Sequence, residues 1–228
     1  IWSDLNNGEQ AFKIKKSTGN RTGSLFRGTS AKQGTNILIG TITWYPSDKL
    51  WNSYDQVNDV RFSSYLKDEP ILVAAGRPSR IIKKYEGTGY TTANENVADE
   101  KIFRTGEMYL IRSEARAQLG KISGANSAES DINGLRTARI SGYVNVTFAS
   151  KGDAIDAITT ERFKELAFEG QRFWDLKRLK LPVTRLASDA PTPAAVSLPA
   201  GNFRFLLPIP DAEMKANKLM IQNPGYGG

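Results

Sequence analysis

The chain contains no histidine and no cysteine among its 228 residues. Without imidazole or thiol it cannot build a Ser-His-Asp triad, a cysteine nucleophile, a histidine proton shuttle or a Cys/His zinc site. Long apolar runs are missing as well. The longest, Ile71 to Ala75, spans five residues, against the roughly 20 that a membrane-spanning helix needs. The chain does not begin with Met and shows no basic segment leading into an apolar stretch, so any export or lipid signal is expected upstream of Ile1. The absence of cysteine permits an oxidising compartment and equally permits a reducing one.

These absences leave carboxylate or lysine chemistry, hard-metal sites made of oxygen ligands, or binding without catalysis. The net charge of +7 comes from 31 Lys and Arg against 24 Asp and Glu. It is spread along the chain, with 13 basic and 11 acidic side chains in residues 1–100 and 18 and 13 in residues 101–228. No basic stripe forms, and a nucleic-acid partner is not expected. With 39% hydrophobic residues, 20 Gly and 10 Pro, the composition is that of a globular protein with many turns.

Residues 1–100 are rich in turns and aromatics, including Trp2, Trp44 and Trp51. Asn36 to Trp44 reads as a strand, and Ser47 to Leu66 as one helix capped by Ser47, with Leu50, Tyr54, Val57 and Arg61 recurring at helical spacing. Beyond Ile102 the pattern changes. Met108, Ile111, Ala115 and Leu119 mark the apolar stripe of an amphipathic helix, and Ala125, Ala128, Ile132, Leu135 and Ala138 mark a second, so the two predict an αα-hairpin. Ser150 and Asp153 open a third helical segment that reaches about Leu179 with a break near Gly170. A Pro-rich loop over residues 187–201, a strand from Phe203 to Leu207, a brief helix capped by Asp211 and a turn at Asn223 to Tyr226 complete the reading.

The third segment carries Glu161, Glu165 and Glu169 four residues apart, with Arg162, Arg172 and Arg178 interleaved. A glycosidase would use two such carboxylates from opposite sides of a sugar, whereas residues four apart on a helix point the same way. The spacing favours an ion-pair lattice over a catalytic pair.

The run Glu161-Arg162, Glu165-Leu166, Phe168-Glu169-Gly170, Arg172, Asp175-Leu176 and Arg178 resembles the pattern ER..EL.FEG.R..DL.R of SusD/RagB-type proteins. Arg104, Glu107, Met108 to Arg112, Glu114 and Ala115 resemble a second motif of that family, and Ile132-Asn133 with Leu135-Arg136 a third. Leu207-Pro208-Ile209-Pro210, Gln222 to Tyr226, and Tyr54 with Asp59-Val60-Arg61 also fit, in the same order. The resemblance covers residues 47–226. It implies a mainly α fold of tetratricopeptide-like helix pairs, with a loop-rich irregular part and a few short strands. Residues 1–100 would be the loop-rich, aromatic-rich part of the family's C-terminal region, and residues 101–228 the helical signature region. It further implies a surface lipoprotein of the Bacteroidetes outer membrane that captures glycan for a SusC-type TonB-dependent transporter. The N-terminal remainder of the same protein would be another partner, and the family's proteins are not enzymes. No cofactor is expected, and no residue is assigned to a metal. The alternatives are a transporter-binding scaffold without a sugar site, or a glycosidase using Glu165 or Glu169.

Sugar recognition needs a flat ring against the apolar face of a pyranose and polar groups at its edge. On the residues alone, Trp44, Tyr45 and Trp51 are the candidate carbohydrate-binding residues, with Tyr90 beside Gly89 as a further one. Asn94, Glu95, Asn96, Asp99 and Glu100 could offer oxygen ligands to a cation, but their spacing is not that of an EF-hand, and a solvated loop is the expectation.

Overall fold

A computed structural model describes residues 2–21, 30–33, 36–39, 44–87 and 97–227, the segments 30–33 and 36–39 as backbone only. The chain divides into two compact units, Ile1–Glu169 and Gly170–Gly228. In the first unit the described elements are, in order, β1 (Gln10–Ile14), β2 (Ser30–Gln33), β3 (Asn36–Ile39), α1 (Asp48–Trp51), α2 (Val60–Tyr65), β4 (Leu66–Asp68), a 3-10 segment (Pro70–Ala75), β5 (Arg80–Ile82), β6 (Glu100–Arg104), α3 (Thr105–Gln118), α4 (Ala128–Thr137) and α5 (Lys151–Glu165). The strands pair two at a time, all antiparallel: β1 with β6, β2 with β3, β4 with β5. The second unit holds α6 (Gln171–Arg178), a ribbon of β7 (Val183–Thr184) and β8 (Ser197–Leu198), short 3-10 turns and α7 (Asp211–Ala216). Helices supply the packing and the ribbons tie loops together, in keeping with the mainly α expectation.

The predicted αα-hairpin is present, but α3 turns a different face inward. Met108, Ile111 and Leu119 of the expected stripe are 41%, 49% and 75% exposed, while Gly106, Leu110, Ser113 and Ala117 are buried. The reason is close approach. Ser113 Oγ donates to the Ala128 carbonyl at 2.8 Å, and a Cβ on Gly106 would stand 2.6 Å from Glu165 Oε1. A face of small side chains brings α3 against its neighbours more closely than the bulkier stripe could. The resulting aliphatic core joins Leu110 and Ala117 to Ala128, Ile132 and Leu135 of α4, to Ala154 and Ile158 of α5, and to Leu166. Ser127 caps α4 with a reciprocal capping box to Ser130, and Ser150 caps α5 by accepting from the Asp153 amide.

Three further expectations are corrected. Residues 47–66 form two helices, because Asp55 Oδ1 accepts from the amides of Val57 and Asn58, folding a turn between them, and Asp59 caps the second. Phe203–Phe205 is a 3-10 turn and not a strand, set by Asn202 accepting from the Arg204 amide. Asp211 lies in the first turn of α7, whose cap is Pro210. The break near Gly170 is found where expected: Phe168 and Gly170 take φ of 65° and 79°, so the chain leaves α5 and restarts as α6.

Candidate functional site

Two carboxylates of α5 are among the most enclosed charges described in the first unit. Glu161 and Glu165 are 1% and 0% exposed. Arg61, at the start of α2, donates Nη1 to Glu161 Oε1 at 2.5 Å and to Glu165 Oε2 at 3.1 Å, while its Nε reaches Asp59 Oδ1 at 2.9 Å. Arg104, ending β6, donates to Glu165 Oε1 at 2.9 Å and with two nitrogens to Glu169 at 2.9 and 2.6 Å. Arg139 grips both Glu165 oxygens at 3.1 Å, and Arg136 donates to Glu161 Oε2 at 2.6 Å. The expected lattice therefore exists, and it draws in cations distant in sequence: Arg61 of α2, Lys84, Arg104 of β6, Arg136 of α4 and Arg139 just beyond it reach the glutamates, because the carboxylate face of α5 is turned into the protein. The pair between Asp175 and Arg178 within α6 is as the spacing suggested.

Burial by itself would raise the Glu165 carboxyl. The guanidiniums of Arg104, Arg139 and Arg61 outweigh it and hold the group well below the usual carboxylate range. Glu161 is lowered against the same burial penalty, by Arg61 first and then Arg136. A general acid needs the opposite shift and a free oxygen edge. The geometry of these glutamates is that of a clamp.

Around the clamp, the last carbonyls of α5 and the turn beyond it are capped by side chains. The Lys164 carbonyl accepts from Tyr54 at 2.7 Å, that of Glu165 from Tyr65 at 3.2 Å and from Arg104 at 3.0 Å. Lys84 donates to the Ala167 carbonyl at 2.8 Å and to Glu169 Oε1 at 2.5 Å, and Tyr85 to the Phe168 carbonyl at 3.0 Å. The Lys84 ammonium also faces the rings of Tyr65 and Trp2, 3.9 and 4.4 Å from their centroids. Burial pushes Lys84 down to about 7, against the opposing pull of Glu169. Burial raises the phenols of Tyr54, Tyr65 and Tyr85, which keeps them neutral donors. Sequence reasoning missed Trp2, Lys84 and Tyr85, which belong to no periodic pattern. Arg104 and Glu169 both stood within the quoted motifs, and that was the available signal.

The candidate sugar-binding aromatics have separate placements. Trp44 is 58% exposed, and its ring meets no aromatic or cationic side chain among the described residues. Tyr45, next to it, packs partly buried against Leu72 and Ile81. Trp51 is 7% exposed, in a cluster with Leu50 and Tyr54. Phe62 meets it edge-on at 4.9 Å and the Arg80 guanidinium covers its ring at 4.6 Å, while Arg80 pairs with Asp48. Tyr90 lies outside the described residues, as do Asn94, Glu95 and Asn96; Asp99 and Glu100 pair with Lys13 and Lys16 at 2.7 and 3.1 Å. In the second unit Trp174 is also exposed, with Phe173 against its edge and Lys177 above its ring. Among the described residues no group of acidic side chains is arranged to hold a metal ion, and no helix is long and apolar enough to cross a membrane.

Comparison with known proteins adds relatives to this geometry. The chain is 34% identical over 167 residues to SusD-like protein P2 of Formosa agariphila, covering 68% of this chain and 31% of that one. A SusD superfamily protein from Bacteroides vulgatus superposes with a TM-score of 0.72 at 26% identity, over 96% of this chain and 47% of that chain. Surface glycan-binding protein A from Bacteroides thetaiotaomicron, solved in complex with laminarihexaose, shares the fold with a TM-score of 0.67 at 18% identity, over 94% of this chain and 52% of that one. The chain thus spans about a third of the curated relative and about half of these solved structures. The model of the SusD family matches residues 16–226, and the chain belongs to that family.

Proposed function

We propose that this chain is part of a non-catalytic glycan-capturing protein on the outer face of a bacterial outer membrane, which delivers oligosaccharide to a SusC-type TonB-dependent transporter. Family membership supports the capture role, together with the laminarihexaose complex of a protein of the same fold. The observation that carries a site in this chain is Trp44, whose indole stands open to solvent at 58% exposure. A pyranose would lay its C–H face on that ring, with Tyr45 beside it. Trp51, packed beneath Arg80 and Asp48, would firm the floor of the site, and Tyr90 would add a further ring. Residues 1–100 would then hold the ligand-facing part and residues 101–228 the helical signature region. The clamped glutamates support a structural role for the family motif. They give no reason to invoke hydrolysis.

The reading is tested by affinity electrophoresis through gels containing a panel of polysaccharides, laminarin included. Retardation by one glycan, lost in Trp44→Ala while circular dichroism stays unchanged, is the expected result. A folded chain that no glycan retards would sink the site proposed here.

A further inference from the structure

The second unit contains a cavity of about 510 Å³ between the end of α6 and residues 200–206. That volume is within the range of small-molecule sites, roughly 300–1,000 Å³. Leu176, Ala200, Phe203, Phe205 and Leu206 give it apolar walls, and Lys177 and Lys180 are its only charged lining residues. The walls are held in place independently of any ligand. Phe205 stacks on Phe173 with ring centroids 5.8 Å apart. Gly225 lies so close on Phe203 that a Cβ there would stand 2.4 Å from the ring.

The lysines are the unusual part. Lys177 lies above the Trp174 ring, and Lys180 forms no ion pair with any described residue. Lys180 occupies the position after the C-cap of α6 with φ of 53°. There it closes a Schellman turn in which the Leu181 amide donates to the Leu176 carbonyl at 2.8 Å and its own amide to that of Lys177 at 3.3 Å. Glycine, and less often asparagine, is the usual residue at that position, because most other side chains are strained in the left-handed region. The helix dipole does not account for the lysine, since Lys177 and Arg178 already place cations in the last turn. A strained residue that brings an unpaired charge to the rim of an apolar cavity points to a ligand of opposite charge.

We propose that this cavity binds a single-chain anionic amphiphile, its acyl chain against the Leu176, Phe203, Phe205 and Leu206 walls and its carboxylate between Lys177 and Lys180. A sugar fits these walls poorly, because its hydroxyls would lose water without gaining partners. The one lining carboxamide, Asn202, already accepts from the Arg204 amide.

The test is calorimetric titration of the chain with dodecanoate below its micelle concentration, with dodecyltrimethylammonium and acetate as probes of the tail and head alone. Saturable one-to-one binding of dodecanoate is expected, at least tenfold weaker for the cationic amphiphile, with acetate silent. Lys180→Gly should keep or raise Tm, since it removes backbone strain, and should weaken dodecanoate binding at least tenfold. Ala200→Phe should abolish binding by filling the cavity. Absence of saturable binding, equal affinity for both amphiphiles, or an unchanged affinity in a folded Lys180→Gly or Ala200→Phe variant would overturn the proposal. Lys180→Asn, which tolerates the same backbone conformation, serves if the glycine variant does not fold.

Discussion

The two larger cores described in the first unit differ in chemistry. Between α3, α4 and α5 the contacts are aliphatic, among residues such as Leu110, Ile132, Leu135 and Ile158. Below α2 and the ribbon of β4 and β5 they are aromatic, among Trp2, Trp51, Tyr54 and Tyr65, with Arg61, Lys84 and Arg104 fully enclosed beside them. An aliphatic core is non-directional, and what it asks of each residue is volume. A core of guanidiniums, carboxylates and phenols asks for atoms at fixed positions, because any enclosed charge left without its partner keeps its desolvation cost.

The largest contrast should come from Glu165→Gln, which leaves Arg61, Arg104 and Arg139 facing a neutral amide. A loss of about 3–5 kcal/mol in chemical denaturation is expected. A loss below about 1 kcal/mol would mean that the clamp contributes little to stability. The same group fixes the acid limit. Glu165 and Glu161 have folded-state values below the ordinary 4.5. As pH falls below that value the unfolded chain takes up protons that the folded chain refuses, so stability present at neutral pH is lost toward acid. A plot of Tm against pH should fall steeply below about pH 4.5 in the native chain and less steeply in Glu165→Gln.

Gly106→Ala sits where the two chemistries meet, its new Cβ pressing on Glu165 Oε1. Overpacking of about 1–3 kcal/mol is expected, accompanied by weaker clamping that the pH profile would reveal. In the aliphatic core, Ile132→Val should cost only about 0.5–1.5 kcal/mol, and it should leave the acid limit where it was. The smallest effect belongs to Trp44→Ala, whose ring is mostly open to solvent. Its stability should stay within about 0.5 kcal/mol of the native chain, which is what makes any loss of glycan retardation in that variant interpretable.

The two cores also differed in how far the sequence announced them. Ala128, Ile132 and Leu135 recur at helical spacing, so α4 and its inward face were legible. On α3 the helix was legible and its face was not. Periodicity weighs bulk, and the buried face was chosen by how closely Gly106, Ser113 and Ala117 allow backbones to approach. The clamp was visible only as acids on one side of a helix. Its cations are distant in sequence, and no local spacing encodes a pairing such as Arg61 with Glu165. Trp44 and Trp51 looked alike as candidates. Their difference in exposure depends on Phe62 and Arg80, which a reading of neighbours along the chain does not place.

The side chains that cap the end of α5 have a consequence for the order of folding. Tyr54, Tyr65, Lys84, Tyr85 and Arg104 are separated from the carbonyls they serve by 61 to 110 residues. During synthesis all of these donors leave the ribosome before a single acceptor has been made. Until Phe168 emerges, the aromatic cluster around Trp2 lacks the helix end that satisfies it, and long loops must close before that contact can form. Closure of this kind is slow relative to the local pairing of α3 with α4. In the nascent chain the helical hairpin can therefore form early, while the aromatic and ionic core has to wait for α5.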